Sequence, residues 1–505
     1  MFRYNTIEIP PVDNYTMSNQ LSANNRWVKL AALIPWDELA QIYRRSFHSH
    51  LGAPSVDARI VIGALIIKHK LKLDDRGTIE LIQENPYMQY FLGFMEFRFE
   101  PVFHPSLFVT IRRRLGAEAF DEMTDELLKK AEQAEKGKQQ QSIGPDAPPQ
   151  APGDESQQGE QDSEQGGHKG ILKLDATVCD QYIKYPTDLD LVARARWESE
   201  RLIDILCKVL KIKIKPRTYR IKARIQYLLA AKNKKLSKRK RHTAIGQQLR
   251  YLNRNLGHLD QLLDHLERIP FVKRDYKIFF VIQHLYAQQY EMWLNKVNRC
   301  DHRIVNIYQP HVRPIVRGKA GKNVEFGSKI SISLAQGIAR LDRLSWEAFN
   351  ESQILQEQVE AYRATQGYWP EKVAVDHIYG TRENRQWCKQ RGIHLQVKPL
   401  GRPPTETAAV KSEYIHRNDL EGKFGEGKNG FNLNKIRAKL QQTSESWIAA
   451  TFFVLNVNEL ARRADAFVCL LAMALNQFMH CCRRQLRPWA DSMGDIQFIR
   501  MPIAV

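Results

Sequence analysis

Hydrophobic and polar positions in the first 132 residues follow the spacing of α-helices. Apolar residues recur every three or four positions through Val56–Lys70, and Pro105 opens a further helix with the same period. The other side of that further helix carries three consecutive arginines, Arg112, Arg113 and Arg114. Residues 1–132 are therefore predicted to form an all-α N-terminal domain.

Short helices joined by sharp turns, with arginines on the last one, are typical of helix-turn-helix DNA-binding domains. In such domains the last helix enters the major groove. Arg112, Arg113 and Arg114 are accordingly candidate DNA-binding residues. An ordinary helical bundle whose arginines extend into solvent would give the same pattern, and the sequence leaves that alternative open.

The pattern changes in residues 133–169, where Gln, Gly, Pro, Ser, Asp and Glu dominate and apolar side chains are almost absent. Such a segment cannot bury enough apolar surface to offset the entropy lost on ordering. It is predicted to be a disordered linker between the N-terminal domain and the remainder of the chain.

Apolar residues in 170–445 alternate between the spacing of strands and that of helices, which predicts a mixed α/β domain. Buried strands are predicted at Ile171–Val178, Arg303–Tyr308, Glu325–Leu334, Lys372–Asp376 and Ile393–Val397. Residues 186–300 interrupt them as a basic helical insertion, with helices at Arg194–Leu210, Tyr219–Ala231, Thr243–Leu266 and Asp275–Asn298. Residues 446–505 are predicted to form an apolar C-terminal helical region.

Positive charge is concentrated in this insertion. The formal net charge is +20, and the segment Lys208–Arg241 holds 15 Lys or Arg residues and no Asp or Glu. A concentrated basic block in an otherwise nearly balanced chain indicates a polyanion, most often nucleic acid. Its candidate DNA-binding residues are Lys234, Lys235, Lys238, Arg239, Lys240 and Arg241.

Other features of the composition predict an intracellular protein. Seven cysteines are scattered without a disulfide-like or zinc-like spacing, which suits a reducing cytosol. No signal peptide is visible at the N-terminus, and the apolar stretches are too short or interrupted to span a bilayer. We therefore expect a cytoplasmic location and no membrane partner.

Three acidic residues are candidates for metal chemistry. Asp175 lies in Ile-Leu-Lys-Leu-Asp and Asp376 ends Lys-Val-Ala-Val-Asp, so each follows a buried strand pattern. Glu421 lies on a predicted helix. Two aspartates and a glutamate are a ligand set suited to a pair of Mg²⁺ ions that cut and join phosphodiesters.

Glu421 belongs to a polar stripe with Tyr414, Arg417 and Lys428. At about 100° per residue these four positions fall within about 60° of one helix face. Their spacing is Tyr-x2-Arg-x3-Glu-x6-Lys, which places a carboxylate among cations that can bind phosphate. Three glycines between Glu421 and Lys428 oppose a regular helix there, so Lys428 leaves the stripe if the helix breaks.

The chain resembles the DDE transposases of bacterial insertion sequences, in the group numbered four and five. That group carries the Tyr-x2-Arg-x3-Glu-x6-Lys signature around its third acidic residue, and this chain matches it at every spacing. The surroundings of Asp175 and Asp376 also resemble the first and second acidic positions of the family. The resemblance covers most of residues 40–460.

This resemblance implies a ribonuclease H-like catalytic core with Asp175, Asp376 and Glu421 as catalytic and metal-binding residues. It implies two Mg²⁺ ions, for which Mn²⁺ can substitute, and DNA contacts by Tyr414, Arg417 and Lys428. The implied partners are double-stranded DNA, as terminal inverted repeats and target, and a second copy in the DNA complex. The expected location is the bacterial cytoplasm, in association with the nucleoid.

Two other functions remain open from the sequence. One is a catalytically inactive regulator derived from a transposase, which the intact acidic triad disfavours. The other is a ribonuclease H-like nuclease that cuts without strand transfer, which the N-terminal domain and the basic insertion disfavour. The long insertion is itself a departure from the simplest family pattern.

Overall fold

The computed structural model describes residues 21–47, 54–141, 167–233, 235–319, 322–397 and 418–464. Within these ranges the chain is a mixed α/β protein whose helices pack around a six-stranded sheet. None of the helices in these ranges is long and apolar enough to cross a membrane.

Seven helices precede the first strand. Side-chain oxygens of Asp57, Asp74 and Asn85 accept hydrogen bonds from backbone N–H groups and cap the third, fourth and fifth of them. The seventh helix continues nine residues beyond the linker boundary predicted at residue 132. The seven are α1 (Arg26–Leu33), α2 (Trp36–Arg44), α3 (Ala58–Lys70), α4 (Asp75–Glu84), α5 (Pro86–Phe91), α6 (Leu107–Arg114) and α7 (Ala117–Gln141).

The six strands are β1 (Ile171–Asp180), β2 (Arg313–Lys319), β3 (Lys322–Ala335), β4 (Ile338–Ser345), β5 (Lys372–Ala374) and β6 (His394–Gln396). Their order is β2-β3-β1-β5-β6, and β4 pairs with β3. β1 is antiparallel to β3 and parallel to β5, and β6 is parallel to β5. Gly327 lets β3 approach β1 closely, because a Cβ there would overlap the carbonyl oxygen of Cys179.

The strand predictions differ from the structure at Arg303–Tyr308, and they omit β2 and β4. Arg303–Tyr308 was predicted as a strand but is irregular, and its apolar residues Val305 and Ile307 are buried in two different clusters. The alternation of apolar and polar residues there reflects side-chain burial rather than hydrogen-bonded pairing with another strand. β4 was not predicted, because the charged residues within it hide its period.

Where a basic helical insertion was predicted, the described residues form four helices, α8 (Asp188–Val209), α9 (Arg220–Lys232), α10 (Lys238–Leu263) and α11 (Lys273–Leu294). Helices α8, α10 and α11 share a hydrophobic cluster that includes the fully buried Leu202, Leu252 and Ile282. α9 lies against α8 and α10 and buries only Ala223.

The remaining helices cover the two faces of the sheet. Leu172 and Leu174 of β1 pack with α12 (Leu355–Gln366) and α13 (Arg382–Gln390). On the opposite face, Ile330 and Ile332 of β3 share a cluster with α14 (Asn418–Gly425) and with α15, the helical residues 441–464.

The first seven helices belong to that same cluster. The rings of Phe120 in α7 and Phe453 in α15 lie 5.8 Å apart, and Asp125 of α7 forms an ion pair with Arg340 of β4. Buried residues of α1–α7 therefore belong to the same hydrophobic cluster as those of α15 and the sheet, and α7 makes the contacts described here.

Candidate functional site

Asp175 and Asp376 occupy equivalent positions just beyond the paired residues of two parallel strands. The last residue pair between β1 and β5 is Lys173 with Ala374. Asp175 lies two residues after Lys173, still within β1. Asp376 lies two residues after Ala374, just past the end of β5. Side chains two residues apart on a strand share a face, so the two carboxylates emerge where β1 and β5 part.

Backbone N–H groups hold both carboxylates. Oδ1 of Asp175 accepts a hydrogen bond from the N–H of Ala176 at 2.8 Å. Oδ1 of Asp376 accepts one from the N–H of His377 at 2.7 Å, and the Nδ1 of His377 lies 3.0 Å away. Asp376 thereby caps the short 3-10 helix His377–Tyr379.

Tyr379 anchors the turn that begins at Asp376. Its N–H donates to the carbonyl oxygen of Asp376 at 3.0 Å, and its side chain is fully buried. Burial raises the pKa of the phenol strongly, and the negative charges of Glu351 and Asp175 add to the shift. The phenol therefore remains protonated and uncharged at neutral pH, which suits its place in the core.

An ion pair joins β1 to the helix that carries Glu421. Lys173 lies on the same face of β1 as Asp175, and its Nζ is 2.5 Å from Oδ2 of Asp419 in α14. Leu420 and Phe424 are buried beneath α14, whereas Glu421 is exposed. The third candidate ligand thus lies on a helix fixed next to Asp175. Lys173 was missed from the sequence, although its two-residue spacing from Asp175 is visible there.

The helix carrying Glu421 does not remain regular as far as Lys428. α14 ends at Gly425 and is followed by a π-helical turn, Glu426–Gly430, that contains Lys428. The single stripe expected from a uniform helix is therefore wrong at its C-terminal end, where glycines weaken the α-helix. Tyr414 and Arg417 lie outside the described residues.

The candidate ligands are of the type that a hard divalent cation prefers, but in the described residues they do not form a metal-binding cluster. All three are carboxylates, which is the ligand type that Mg²⁺ prefers. Across the described ranges, no three acidic, His or Cys side chains approach closely enough to hold a metal ion. The structure therefore aligns two carboxylates and fixes the helix of the third beside them.

The basic block presents its cations to solvent. Lys238, Arg239, Lys240 and Arg241 occupy the first turn of α10, and they are exposed, as is Lys235. The described residues provide no carboxylate partner for any of the five, and Lys234 lies outside those residues. Cations at a helix N-terminus oppose the helix dipole, so this arrangement does not serve the stability of α10.

Arg112 was predicted to contact DNA, but its side chain is buried. Its guanidinium binds both carboxylate oxygens of Asp75, at 2.9 and 2.7 Å, and Lys68 also binds Asp75 at 2.9 Å. Arg112 follows the buried Phe108 and Ile111 at helical spacing, so it lies on the core face of α6.

Arg113 and Arg114 remain on the surface. Both are exposed, and the guanidinium of Arg114 lies 4.3 Å from the ring centre of Phe47. The end of α6 therefore presents two cations rather than three.

Comparisons with known proteins match two parts of the chain. A family model described as "Transposase DDE domain" matches residues 373–458, and one described as "Transposase domain (DUF772)" matches residues 15–114. The first match includes Asp376 and Glu421 and begins after Asp175. A Rhizobium meliloti protein described as "Uncharacterized protein ORF8 in nfe locus" is 32% identical over 96 residues. That alignment covers 19% of this chain and 46% of the relative, so the chain spans about half the length of that relative.

Proposed function

Because this chain belongs to the DDE transposases of insertion sequences, we propose that it cuts double-stranded DNA and joins the cut ends to target DNA. The proposed cutting sites are the terminal inverted repeats of an insertion sequence. Asp175, Asp376 and Glu421 are the proposed catalytic residues.

Support comes first from the register of β1 and β5. It brings Asp175, in the middle of β1, to the level at which β5 ends and Asp376 follows, although the two residues are far apart in the sequence. The ion pair between Lys173 and Asp419 then fixes α14 beside them. One carboxylate on a strand, a second just past the end of the neighbouring strand and a third on an adjacent helix are an arrangement that suits phosphodiester chemistry.

A DDE domain implies dependence on a divalent metal. We propose that Asp175, Asp376 and Glu421 hold two Mg²⁺ ions, which Mn²⁺ can replace. Bound there, such ions activate the attacking water or 3′-hydroxyl and stabilise the leaving oxygen. The N–H groups of Ala176 and His377 orient the two aspartates. Glu421, exposed on α14, completes the ligand set when metal and DNA are bound.

The proposed catalytic core is ribonuclease H-like. β1, β3 and β4 form an antiparallel set, and β5 and β6 continue the sheet parallel to β1. Helices cover both faces, and the basic insertion leaves the sheet after β1 and returns before β2. Asp175 therefore lies on the central strand, and Asp376 follows the end of its parallel neighbour.

The proposed DNA contacts come from three places. Tyr414, Arg417 and Lys428 bind phosphate near the cut, and Arg113 and Arg114 bind DNA from the end of α6. The exposed cations around the start of α10, with Lys234, bind the DNA backbone without regard to sequence. We further propose that two copies act together on DNA and that the protein associates with the bacterial nucleoid.

A strand-transfer assay tests the function. Purified protein is mixed with a DNA duplex carrying a pre-cut inverted repeat from the element's end, a target plasmid and Mg²⁺. Joined product is expected with the unaltered protein and not with Glu421→Gln. Binding without cutting or joining, by the unaltered protein, would instead favour the regulator. Cutting of an uncut repeat without any joining would favour the nuclease.

A further inference from the structure

The π-helical turn Glu426–Gly430, which carries Lys428, is contacted by the C-terminal end of α3. The Nζ of Lys72 donates a hydrogen bond to the carbonyl oxygen of Asn429 at 2.6 Å. The Nδ2 of Asn432, just past the turn, donates in return to the carbonyl oxygen of Lys72 at 3.4 Å. Two segments that lie 357 residues apart in the sequence are therefore joined through the side chain and the backbone of one lysine.

The backbone of Lys72 is fixed by the motif that ends α3. The N–H of Lys72 donates to the carbonyl oxygen of His69 at 3.3 Å, and the N–H of Leu73 donates to that of Lys68 at 3.0 Å. These two bonds form a Schellman motif, and Lys72, with φ +58°, is its left-handed residue. Since α3 is buried along most of its length, the Lys72 ammonium is presented from a rigidly packed helix.

The turn requires contacts from outside because its own sequence does not favour a helix. It contains Gly427 and Gly430 and follows Gly425, and glycine is among the least favourable residues in a helix interior. The last carbonyl groups of a helix lack partners within it and carry partial negative charge. An ammonium at the carbonyl oxygen of Asn429 therefore stabilises the C-terminal end of the turn.

The same end of α3 also reaches the first residue of the turn through α15. The Nζ of Lys70 donates to Oδ1 of Asn458 at 2.5 Å, and the Nδ2 of Asn458 donates to Oε1 of Glu426 at 3.4 Å. Lys423 of α14 binds Glu426 as well, at 3.3 Å. The turn is thus held at Glu426 and at Asn429, on either side of Lys428.

We propose that Lys72 is a positioning residue that holds this turn in the conformation in which Lys428 meets the DNA phosphate near the cut. The proposal rests on the proposed function, which assigns that phosphate contact to Lys428. Lys72 acts through the backbone next to Lys428 and does not itself bind DNA. It gives the N-terminal helices a part in cleavage that is separate from DNA binding by α6.

Replacing Lys72 with glycine separates this role from ordinary stabilisation. Glycine suits a left-handed backbone, so Lys72→Gly removes the ammonium without straining the Schellman motif, and the thermal midpoint should stay the same or rise. Lys296 gives a matched control, because it has φ +55° and occupies the same position after α11. It is exposed, and its side chain has no hydrogen-bond or ion-pair partner among the described residues.

Hydrogen exchange in the full-length protein without DNA measures the turn directly. The N–H groups of Phe431 and Leu433 both donate to the carbonyl oxygen of Gly427, at 3.2 and 3.0 Å, so their exchange reports opening of the turn. Peptides that contain these two amides should exchange at least tenfold faster in Lys72→Gly and at an unchanged rate in Lys296→Gly. Equal exchange in both variants and the unaltered protein would overturn the proposal.

Cleavage kinetics then test the effect on the reaction, with a terminal-repeat duplex and Mg²⁺. Lys72→Gly should lower kcat at least tenfold while leaving unchanged both the Kd for the duplex and the slope of log K against log salt. Lys72→Arg keeps a cation that can bind the Asn429 carbonyl oxygen and should retain most of the activity, and Lys296→Gly should retain all of it. A weaker Kd with a smaller salt slope and an unchanged kcat would overturn the proposal, since Lys72 would then bind phosphate itself.

The two measurements keep this proposal separate from the proposed function. Failure of the unaltered protein to cleave the repeat would contradict the enzymatic function, and hydrogen exchange would still decide whether Lys72 holds the turn. Normal cleavage by Lys72→Gly, together with cleavage by the unaltered protein, would overturn the positioning role and leave the enzymatic function standing.

Discussion

Lys173 of β1 and Asp419 of α14 form an ion pair with 2.5 Å between Nζ and Oδ2. Lys173 is mostly buried, and it shares a face of β1 with Asp175. Asp419 precedes Glu421 by two residues. This pair therefore links the position of the proposed third metal ligand to the strand that carries the first.

Exchanging the two charges tests this link. Lys173→Glu should lower DNA cleavage at least tenfold, because it repels Asp419 and displaces α14. The double variant Lys173→Glu/Asp419→Lys should recover much of that loss, since it restores an ion pair in reverse order. Cleavage rates of the two single variants and the double variant form a cycle. No recovery in a folded double variant would show that the pair does not position Glu421.

The contact between Asp75 and Arg112 is predicted to stabilise the N-terminal helices and not to contribute to DNA binding. Burial raises the pKa of Asp75, but hydrogen bonds and charge from Arg112 and Lys68 outweigh this and lower it overall. Asp75→Ala leaves two buried cations without a carboxylate and should cost roughly 3 kcal/mol of stability.

The thermal midpoint measures that cost. It should fall clearly for Asp75→Ala and stay nearly unchanged for Arg113→Ala, an exposed neighbour whose loss costs within about 0.5 kcal/mol. An unchanged midpoint for Asp75→Ala would mean that the buried cations find other partners.

His69 should make stability fall in mild acid. It is buried, its ring lies 5.2 Å from that of Trp447, and Nδ1 lies 3.3 Å from Oγ1 of Thr451. Burial lowers its pKa well below the ordinary value, and the charges of Lys68 and Arg112 add to the shift. The folded chain thus keeps His69 neutral, while the unfolded chain takes up a proton below about pH 6.5.

The contribution of neutral His69 to the free energy of unfolding is therefore fully present above about pH 6.5. As the pH falls below that value, this contribution is lost by up to about 1.4 kcal/mol per pH unit. His69→Phe keeps the ring contact and should flatten this dependence. His104→Phe, at an exposed position, should not. Denaturant unfolding at pH 7 and pH 5 measures the difference. If the free energy of unfolding fell equally between pH 7 and pH 5 in the unaltered protein and in His69→Phe, this account would be contradicted.

The exposed cations at the start of α10 should act through phosphate contacts. Replacing Lys238, Arg239, Lys240 and Arg241 with Gln should weaken binding to unrelated DNA sequences alike. It should also reduce the slope of log K against log salt, because fewer counterions are released. Replacing the two lysines Lys211 and Lys213 provides a control within the same basic segment. An unchanged slope in the α10 variant would mean that these cations face solvent or protein.

The sequence predicted elements whose pattern depends on local spacing. β1, the four insertion helices and the strand before Asp376 were all visible as periods in the chain. The alignment of Asp175 with Asp376 was expected only from their places at the strand ends, and the structure supplies the register. That register depends on contacts between distant segments, which periodicity does not contain.

Other features could not be predicted for physical reasons. Arg112 was assigned to the surface because it is charged, although its spacing from Phe108 and Ile111 puts it on the core side. Its burial depends on Asp75, which is 37 residues away. For the region of Lys428, the sequence predicted only that the glycines oppose a regular helix. It did not predict the π-helical turn. A Cβ at Gly427 would lie 3.2 Å from the side chain of Leu433, and the Leu433 N–H donates to the Gly427 carbonyl oxygen at 3.0 Å, so this turn packs tightly against the residues that follow it.

The central claim is that Asp175, Asp376 and Glu421 bind metal during DNA cleavage, and a change of ligand atom tests it most directly. Asp376→Cys replaces a carboxylate oxygen with sulfur, which Mg²⁺ binds poorly and Mn²⁺ accepts better. Cleavage of a duplex that carries the element's terminal repeat should be compared in Mg²⁺ and Mn²⁺, with Asp376→Ala as control. We predict that Asp376→Cys is inactive in Mg²⁺ and regains cleavage in Mn²⁺, while Asp376→Ala is inactive in both. Near-normal cleavage by Asp376→Ala in Mg²⁺ would contradict the account.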